Sequence, residues 1–282
     1  QIASQLVNSR NGVVQRWDSV APNWSATVSG GTSFDLGSDF TLGVIATAGY
    51  SNKWQTRDIL QQYTGSSDLS TVDTSANRVN TDNRIVVNGL LGIGAEFGDN
   101  KIRWTNLYIR DTLKNTRLAL AQRPTQNDSD YMQQDTAWFE RQLIDTQVVG
   151  EFKPLDNLSV DLRGGYAKSQ REAPAEFGIE YVRSNSAADP YGQYFINRLD
   201  ANRGDAEIVY SDLGEKLYSF SADVTFRPMP DLGLSVGYAY QRTERESIRR
   251  SFQFRATSSL PGGVDMLRPD LLLSPGVIDP TP

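Results

Sequence analysis

The 282-residue chain contains no cysteine and no histidine. The first absence removes disulfide staples and thiolate nucleophiles. The second removes the commonest transition-metal ligand and the commonest general base. Zinc hydrolysis and Ser-His-Asp chemistry are excluded, and any catalysis would need lysine, carboxylate or tyrosine alone. The chain is therefore read as a non-enzyme with no cofactor. It also lacks any run of about 18 apolar residues, so no transmembrane helix is expected. Nor is there a basic excess: 28 Lys and Arg against 34 Asp and Glu leave a formal charge of −6. A nucleic-acid partner would call for a basic stripe, and none is present. No charged stretch followed by an apolar core opens the sequence, so no signal peptide is visible. Both ends, Gln1-Ile2-Ala3 and Ile278 to Pro282, read as loop, and the chain is expected to be an internal segment of a longer one.

What the sequence does have is period-two alternation, the mark of strands with two unlike faces. Trp24, Ala26, Val28, Gly30, Thr32 and Phe34 alternate with Ser25, Thr27, Ser29, Gly31 and Ser33. After Leu36 to Asp39, the pattern resumes with Phe40, Leu42, Val44, Ala46, Ala48 and Tyr50. A second hairpin runs from Ile85 to Phe97 and returns through Ile102, Trp104 and Tyr108, where Leu107 and Ile109 fall on the wrong face and suggest a bulge. A third places Trp138, Ile144, Val148 and Phe152 before Pro154-Leu155-Asp156-Asn157, then Leu158, Val160, Leu162 and Tyr166 after it. A fourth carries Tyr218, Phe220, Val224 and Phe226, turns at Pro228 to Asp231, and returns through Leu234, Val236, Tyr238 and Tyr240.

Within hairpins the turns are short. Between hairpins, residues 51–83, 111–137 and 170–216 are rich in Asn, Asp, Ser, Gln, Thr and Arg and read as long loops. Such loops are uncommon in compact soluble domains, whereas outer-membrane barrels alternate short periplasmic turns with long extracellular loops. The apolar faces also end in aromatics, as membrane interfaces favour. Trp24, Tyr50, Trp138, Tyr166, Tyr218 and Tyr240 stand at the long-loop end, and Phe34, Phe40, Phe97, Phe152 and Phe226 at the short-turn end. Trp24 to Phe34 and Phe40 to Tyr50 each span ten residues, a rise of about 25 Å for a tilted strand, which matches the apolar band of such barrels. The expected fold is an all-β, antiparallel up-and-down transmembrane barrel, seen in part as eight strands in four hairpins.

Several words of the sequence resemble the barrel part of TonB-dependent receptors, the active transporters of the Gram-negative outer membrane. They are Val20-Ala21-Pro22-Asn23-Trp24, Gly43 to Trp54, Arg103 to Arg110, Trp138 to Leu143 and Gly165 to Pro174. They cover about residues 20–174, and the hairpin rhythm extends to about 243. The resemblance implies that residues 1–282 form a segment of one barrel domain in the cell outer membrane, about a third of the family's 22 strands. The plug, the TonB box and the closing C-terminal strands would lie outside the segment. It further implies outer-membrane lipid, an extracellular ligand and, through the missing N-terminal region, the TonB energy-transducing complex as partners. Residues 1–20 would then belong to an external loop. A passive channel or adhesin barrel shares every visible feature, and a secreted β-sandwich that buries the apolar face is the soluble alternative.

Other constellations are weaker. Gly89, Gly92, Gly94 and Gly98 lie in a strand pattern with no following helix, so they fail the context of a phosphate loop. Asn127, Asp128, Ser129, Asp130 and Asp135 offer oxygen ligands without EF-hand spacing. Arg242, Arg245, Arg249 and Arg250 are interleaved with Glu244 and Glu246, as on an ordinary charged face. Glu176 and Glu180 have no readable partner geometry. Tyr181, Tyr191, Tyr194 and Phe195 fall in the longest expected loop and are candidate ligand-stacking residues.

Overall fold

Alternation sends successive side chains to opposite faces and leaves the backbone free to pair on both sides. In the computed structural model this produces one eight-stranded antiparallel sheet, ordered as the chain runs. The structure describes residues 6, 12–68, 70–124, 129–200, 202–229 and 231–278. The strands are β1 (Trp24–Asp35), β2 (Phe40–Thr64), β3 (Val72–Phe97), β4 (Asn100–Gln122), β5 (Asp130–Leu155), β6 (Leu158–Arg183), β7 (Asp205–Met229) and β8 (Leu232–Phe254). Among the described residues β1 and β8 each pair on one side only, so the sheet is open. No helix among them is long and apolar enough to cross a membrane.

The long loops expected between hairpins are mostly strand. β2 through β8 have 23 to 26 residues each, and the upper connections shrink to 65–71, 123–129 and 184–204. Only the apolar third of each strand shows clean alternation. Above it, on β2 and β3, polar residues predominate on both faces, and the ladder is held by backbone bonds and by cross-strand pairs that composition does not reveal. Thr56 meets Thr81 at 3.0 Å, and Arg57 meets Asp82 at 2.6 Å. The lower turns are correspondingly tight. Asp156-Asn157 alone separates β5 from β6, and Gly98-Asp99 separates β3 from β4. Gly98 has φ +56°, which glycine adopts at little cost.

The bulge expected on β4 is absent. β3 and β4 stay in register from Ser75–Gln122 to Phe97–Asn100. Leu107 and Ile109 do occupy the opposite face, across from Leu90 and Leu143. The bulge lies instead on β6, where the pairing steps from Glu140–Glu172 to Trp138–Ala175 and from Ala173–Ser211 to Glu176–Val209. Pro174 lies inside it, as suits a residue without an N–H to donate. The extra residue reverses the parity of β6. Phe177, Ile179 and Tyr181 consequently share a face with Tyr166.

That face is covered at its upper end. Phe177, Ile179, Tyr181, Ala206, Ile208 and Phe254 form a buried cluster with Leu199, Leu272 and Leu273. The cover is the segment after β8, which contains a 3-10 turn (Val264–Met266), α1 (Pro269–Leu272) and α2 (Pro275–Ile278). Pro at the first helical position of α1 gives up an N–H that would lack a partner anyway. Asn197 staples the 184–204 connection beneath it. Its amide nitrogen donates to the carbonyls of Glu180 and Asp205 at 2.9 and 2.8 Å, and its side-chain oxygen accepts from the Leu199 N–H at 2.8 Å.

The same connection contains an acid-sensitive lock. The Tyr191 N–H, aided by the Arg203 and Ser184 side chains, holds the Asp189 carboxyl below its ordinary range. A carboxyl depressed on folding contributes stability above its unfolded value, near pH 4, and loses it as pH falls through the lower folded value. Amide protection across 184–204, taken relative to the intrinsic exchange rate at each pH, should fall on acidification below about pH 4. Asp189→Asn should remove that acid step, and an unchanged profile would show that the lock is unimportant.

Candidate functional site

The two faces of the sheet differ in chemistry, and their geometry is fixed by register. On one face the apolar residues of all four hairpins are contiguous: Val28, Val44, Leu91, Ile93, Ile144, Val148, Leu162, Phe220 and Val236 lie in connected rows. Many remain exposed, with Val28 at 74%, Val236 at 71% and Val148 at 45%. An eight-stranded sheet with so large an uncovered apolar face calls for an apolar surrounding.

Some polar side chains within this band bond to one another, although the Asn106 amide nitrogen is buried without a partner. The Trp104 indole N–H donates to the Thr146 hydroxyl at 2.9 Å, and that hydroxyl donates to the Asn106 side-chain oxygen at 2.8 Å.

Aromatics border the band. Trp24 and Tyr50 pack as a tilted pair with ring centroids 4.7 Å apart, and Tyr166 and Tyr218 likewise with centroids 5.2 Å apart. At the other end Phe40 is directly opposite Phe97. The upper border does not follow the hydrogen-bonded rows. Trp24 shares its row with Asn52, and Tyr108 shares a row with Ala48 through Gly89. Tyr166 and Tyr218 lie on the row of Ala46. The row of Tyr240 passes through Phe220, Gly164, Val148, Trp104 and Ile93 to Val44. From β1 to β8 the border therefore slips from position 52 to position 44, eight residues over seven steps between strands.

The lower border slips in the same sense. The row through Thr41, Glu96, Lys101, Glu151, Asp161 and Asp223 serves as the reference. Phe34 stands one residue above it, Phe40, Phe97 and Phe152 one below, and Phe226 three below. Trp138 departs from the border. It shares a row with Lys114, Asn83 and Trp54, four residues above Tyr50.

The opposite face carries a ladder of charge pairs. Arg84 makes a bidentate contact with Asp111 at 2.8 and 2.9 Å, and Arg141 approaches the same carboxylate at 3.6 Å. Arg103 meets Glu151 at 2.7 Å and Lys101 meets Glu96 at 3.0 Å. Higher up, Glu180 accepts from Arg123 at 3.1 Å and from Gln133 at 2.7 Å. Asp111 is the hub, largely shielded between two guanidinium groups that are themselves half exposed. Asp111→Asn should cost roughly 1 kcal/mol, read as a lower urea midpoint, with the loss shrinking as salt is added. A loss that is independent of salt would argue against a charge role.

The loop aromatics do not converge. Tyr181 is in β6, 3% exposed, and its hydroxyl donates to the Leu267 carbonyl at 2.7 Å. Phe195 packs against the same cluster, with the Arg183 guanidinium 4.7 Å from its ring centroid. Tyr191 is half-buried in the connection, and only Tyr194 is freely exposed, at 57%. Sequence reasoning missed the burial of Tyr181 because the β6 bulge hides the parity that would have placed it.

Asn127 and Asp128 lie outside the described residues. Asp130 accepts hydrogen bonds from Arg183, Gln122 and Asn185. Among the described residues no group of three or more acidic side chains is arranged to hold a metal ion. Arg242 and Arg250 occupy the banded face and Arg245 and Arg249 the other, so the basic cluster is divided. No protein-family model matches the chain, and no curated protein matches it.

Proposed function

We propose that the chain is part of the wall of an outer-membrane β-barrel that passes a solute, of the kind built by TonB-dependent receptors. The slipping aromatic border carries this reading. Strands in a closed barrel tilt, so a line of constant height crosses the hydrogen-bonded rows obliquely. A slip of eight residues over seven steps, with ~3.3 Å per residue and ~4.8 Å between strands, corresponds to a tilt of about 38°. Membrane barrels tilt by about 35–45°. A soluble sandwich has no reason to align its tyrosines along that oblique line. The band would face lipid and the ladder of charge pairs would line the lumen. The open edges of β1 and β8 would be paired by further strands.

Lipid placement is tested with variants of the full protein that each retain one tryptophan, reconstituted in vesicles of bromine-labelled phosphatidylcholine. Trp104 fluorescence should be quenched most, and Trp17 and Trp54 should be spared. Equal quenching, or none, overturns the membrane reading. Active uptake is tested by solute accumulation in cells expressing the full reading frame. Accumulation that stops when the energy-transducing complex is deleted supports the transporter. Energy-independent conductance in a planar bilayer would replace it with a passive channel.

A further inference from the structure

Above the aromatic border, the banded face continues into a groove of about 1130 Å³. Its floor is two adjacent rows of the sheet. One row is Trp54, Asn83, Lys114 and Trp138; the next consists of Thr56, Thr81, Thr116 and Thr136, one threonine from each of β2 to β5. Its wall is the strap of residues 13–20, which carries Trp17 with 70% of its surface exposed. Asn23 ties the strap to the sheet edge by accepting from the Trp54 N–H at 2.6 Å and donating to the Trp54 carbonyl at 3.0 Å.

We infer that this groove binds a short neutral oligosaccharide. Four hydroxyl side chains stand at the interstrand spacing, Thr56 and Thr81 bonded to each other at 3.0 Å. The adjoining row has the Trp54 indole at one end and the Trp138 indole, one face of which is taken by Lys114, at the other, ~14 Å apart across three steps. Indole faces take the apolar face of a pyranose ring, while hydroxyls both donate and accept, as a sugar hydroxyl requires. Charge argues for neutrality. The one cation on the floor, Lys114, lies 4.7 Å over the Trp138 ring, and Asp18 on the strap has Arg16 3.7 Å away. No carboxylate stands among the floor residues to meet a cationic ligand. The Trp138 indole N–H is buried in this floor without a hydrogen-bond partner.

Trp54 is four residues beyond Tyr50, about 10 Å above the border for a tilted strand. The sugar could therefore be a free oligosaccharide or the headgroup of a glycolipid, and the experiment separates them. The inference goes beyond the transport reading and stands without it, because lipid quenching of Trp104 tests that reading separately.

The full protein in detergent is titrated by calorimetry with maltoheptaose, cellohexaose and chitohexaose. In parallel, phosphatidylcholine nanodiscs with and without monoglucosyl-diacylglycerol are tested for capture of the same protein. Saturable binding of any free sugar assigns a soluble ligand, and capture only by the glucolipid discs assigns the headgroup. In either case Trp17→Ala and the pair Thr81→Val with Thr116→Val should each weaken binding at least tenfold, with unchanged melting temperature. Trp104→Phe, outside the groove, should bind normally. No binding by any of these probes, or binding that both groove variants leave intact, overturns the inference.

Discussion

Val148→Arg should remove about 2–4 kcal/mol of stability in lipid vesicles, while Gln147→Arg should remove at most about 1 kcal/mol. The two positions are neighbours in sequence, and both side chains are exposed in the sheet. They differ in face. Val148 is four residues from Phe152 on the banded side, and Gln147 is on the side of the charge ladder. If lipid surrounds the band, the arginine at 148 must hold its charge near the middle of the hydrocarbon. Depth supplies the second control. Gln142→Arg, six residues higher on the same face and beyond the border, should be nearly neutral. The measurement is a urea midpoint for each variant of the full protein in the same vesicles. A penalty that peaks at 148 and fades toward 142 fits a bilayer. Equal tolerance at all three positions would sink the membrane reading. A penalty at 148 in a protein that needs no detergent would favour a second sheet packed on the band.

Leu272→Ala should cost about 2–5 kcal/mol in the local stability of the cap. Leu272 is fully buried against the cluster around Phe177, Tyr181 and Ile208. Leu273 is buried beside it, and the segment is further held by the Arg198–Asp265 ion pair at 3.6 Å and by three hydrogen bonds: the Tyr181 hydroxyl on the Leu267 carbonyl, the Asn197 N–H on the Asp265 carbonyl, and the Ala256 N–H on the Leu199 carbonyl. Losing the leucine leaves a cavity that these bonds cannot close. Amide protection over 256–278 should drop, and protease should cut after Phe254. Leu271→Ala, at a side chain 46% exposed, is the control and should change neither. If protection survives in Leu272→Ala, the cap is held by its backbone bonds and not by its core.

The sequence revealed each part of the sheet only as far as side-chain chemistry mirrored the backbone. The four hairpins, the lower turns and most of the aromatic borders were legible because an apolar face beside a polar one leaves a period of two. The upper halves of the strands were not. Residues Gln55 to Gln62 are polar except for the adjacent Ile59 and Leu60, one on each face, so no period of two distinguishes a paired strand from a loop. Their pairing is decided by partners on β3, Ser75 to Asp82, 13 to 27 residues further along the chain. Trp138 lies in the row of Trp54, above the line of the other aromatics, which only the register shows. Tyr181 was hidden by a single inserted residue at the β6 bulge, beyond which odd positions take over from even ones. The threonine row of the groove is legible only in register, because its four members are 20 to 35 residues apart in sequence.

The strand count has a consequence for how such a wall can grow. Counted from the short turns, β1 runs down and β8 runs up, so the two free edges have opposite polarity. Any block inserted between them must begin with a descending strand and end with an ascending one. Whole hairpins satisfy that rule and single strands do not. Each hairpin must also step the aromatic border by about two residues, or the belt would no longer lie level. If the sheet is part of a closed barrel, its unit of inheritance would be the hairpin with its short turn, and duplication or loss of one unit would change the bore while leaving every remaining pairing intact.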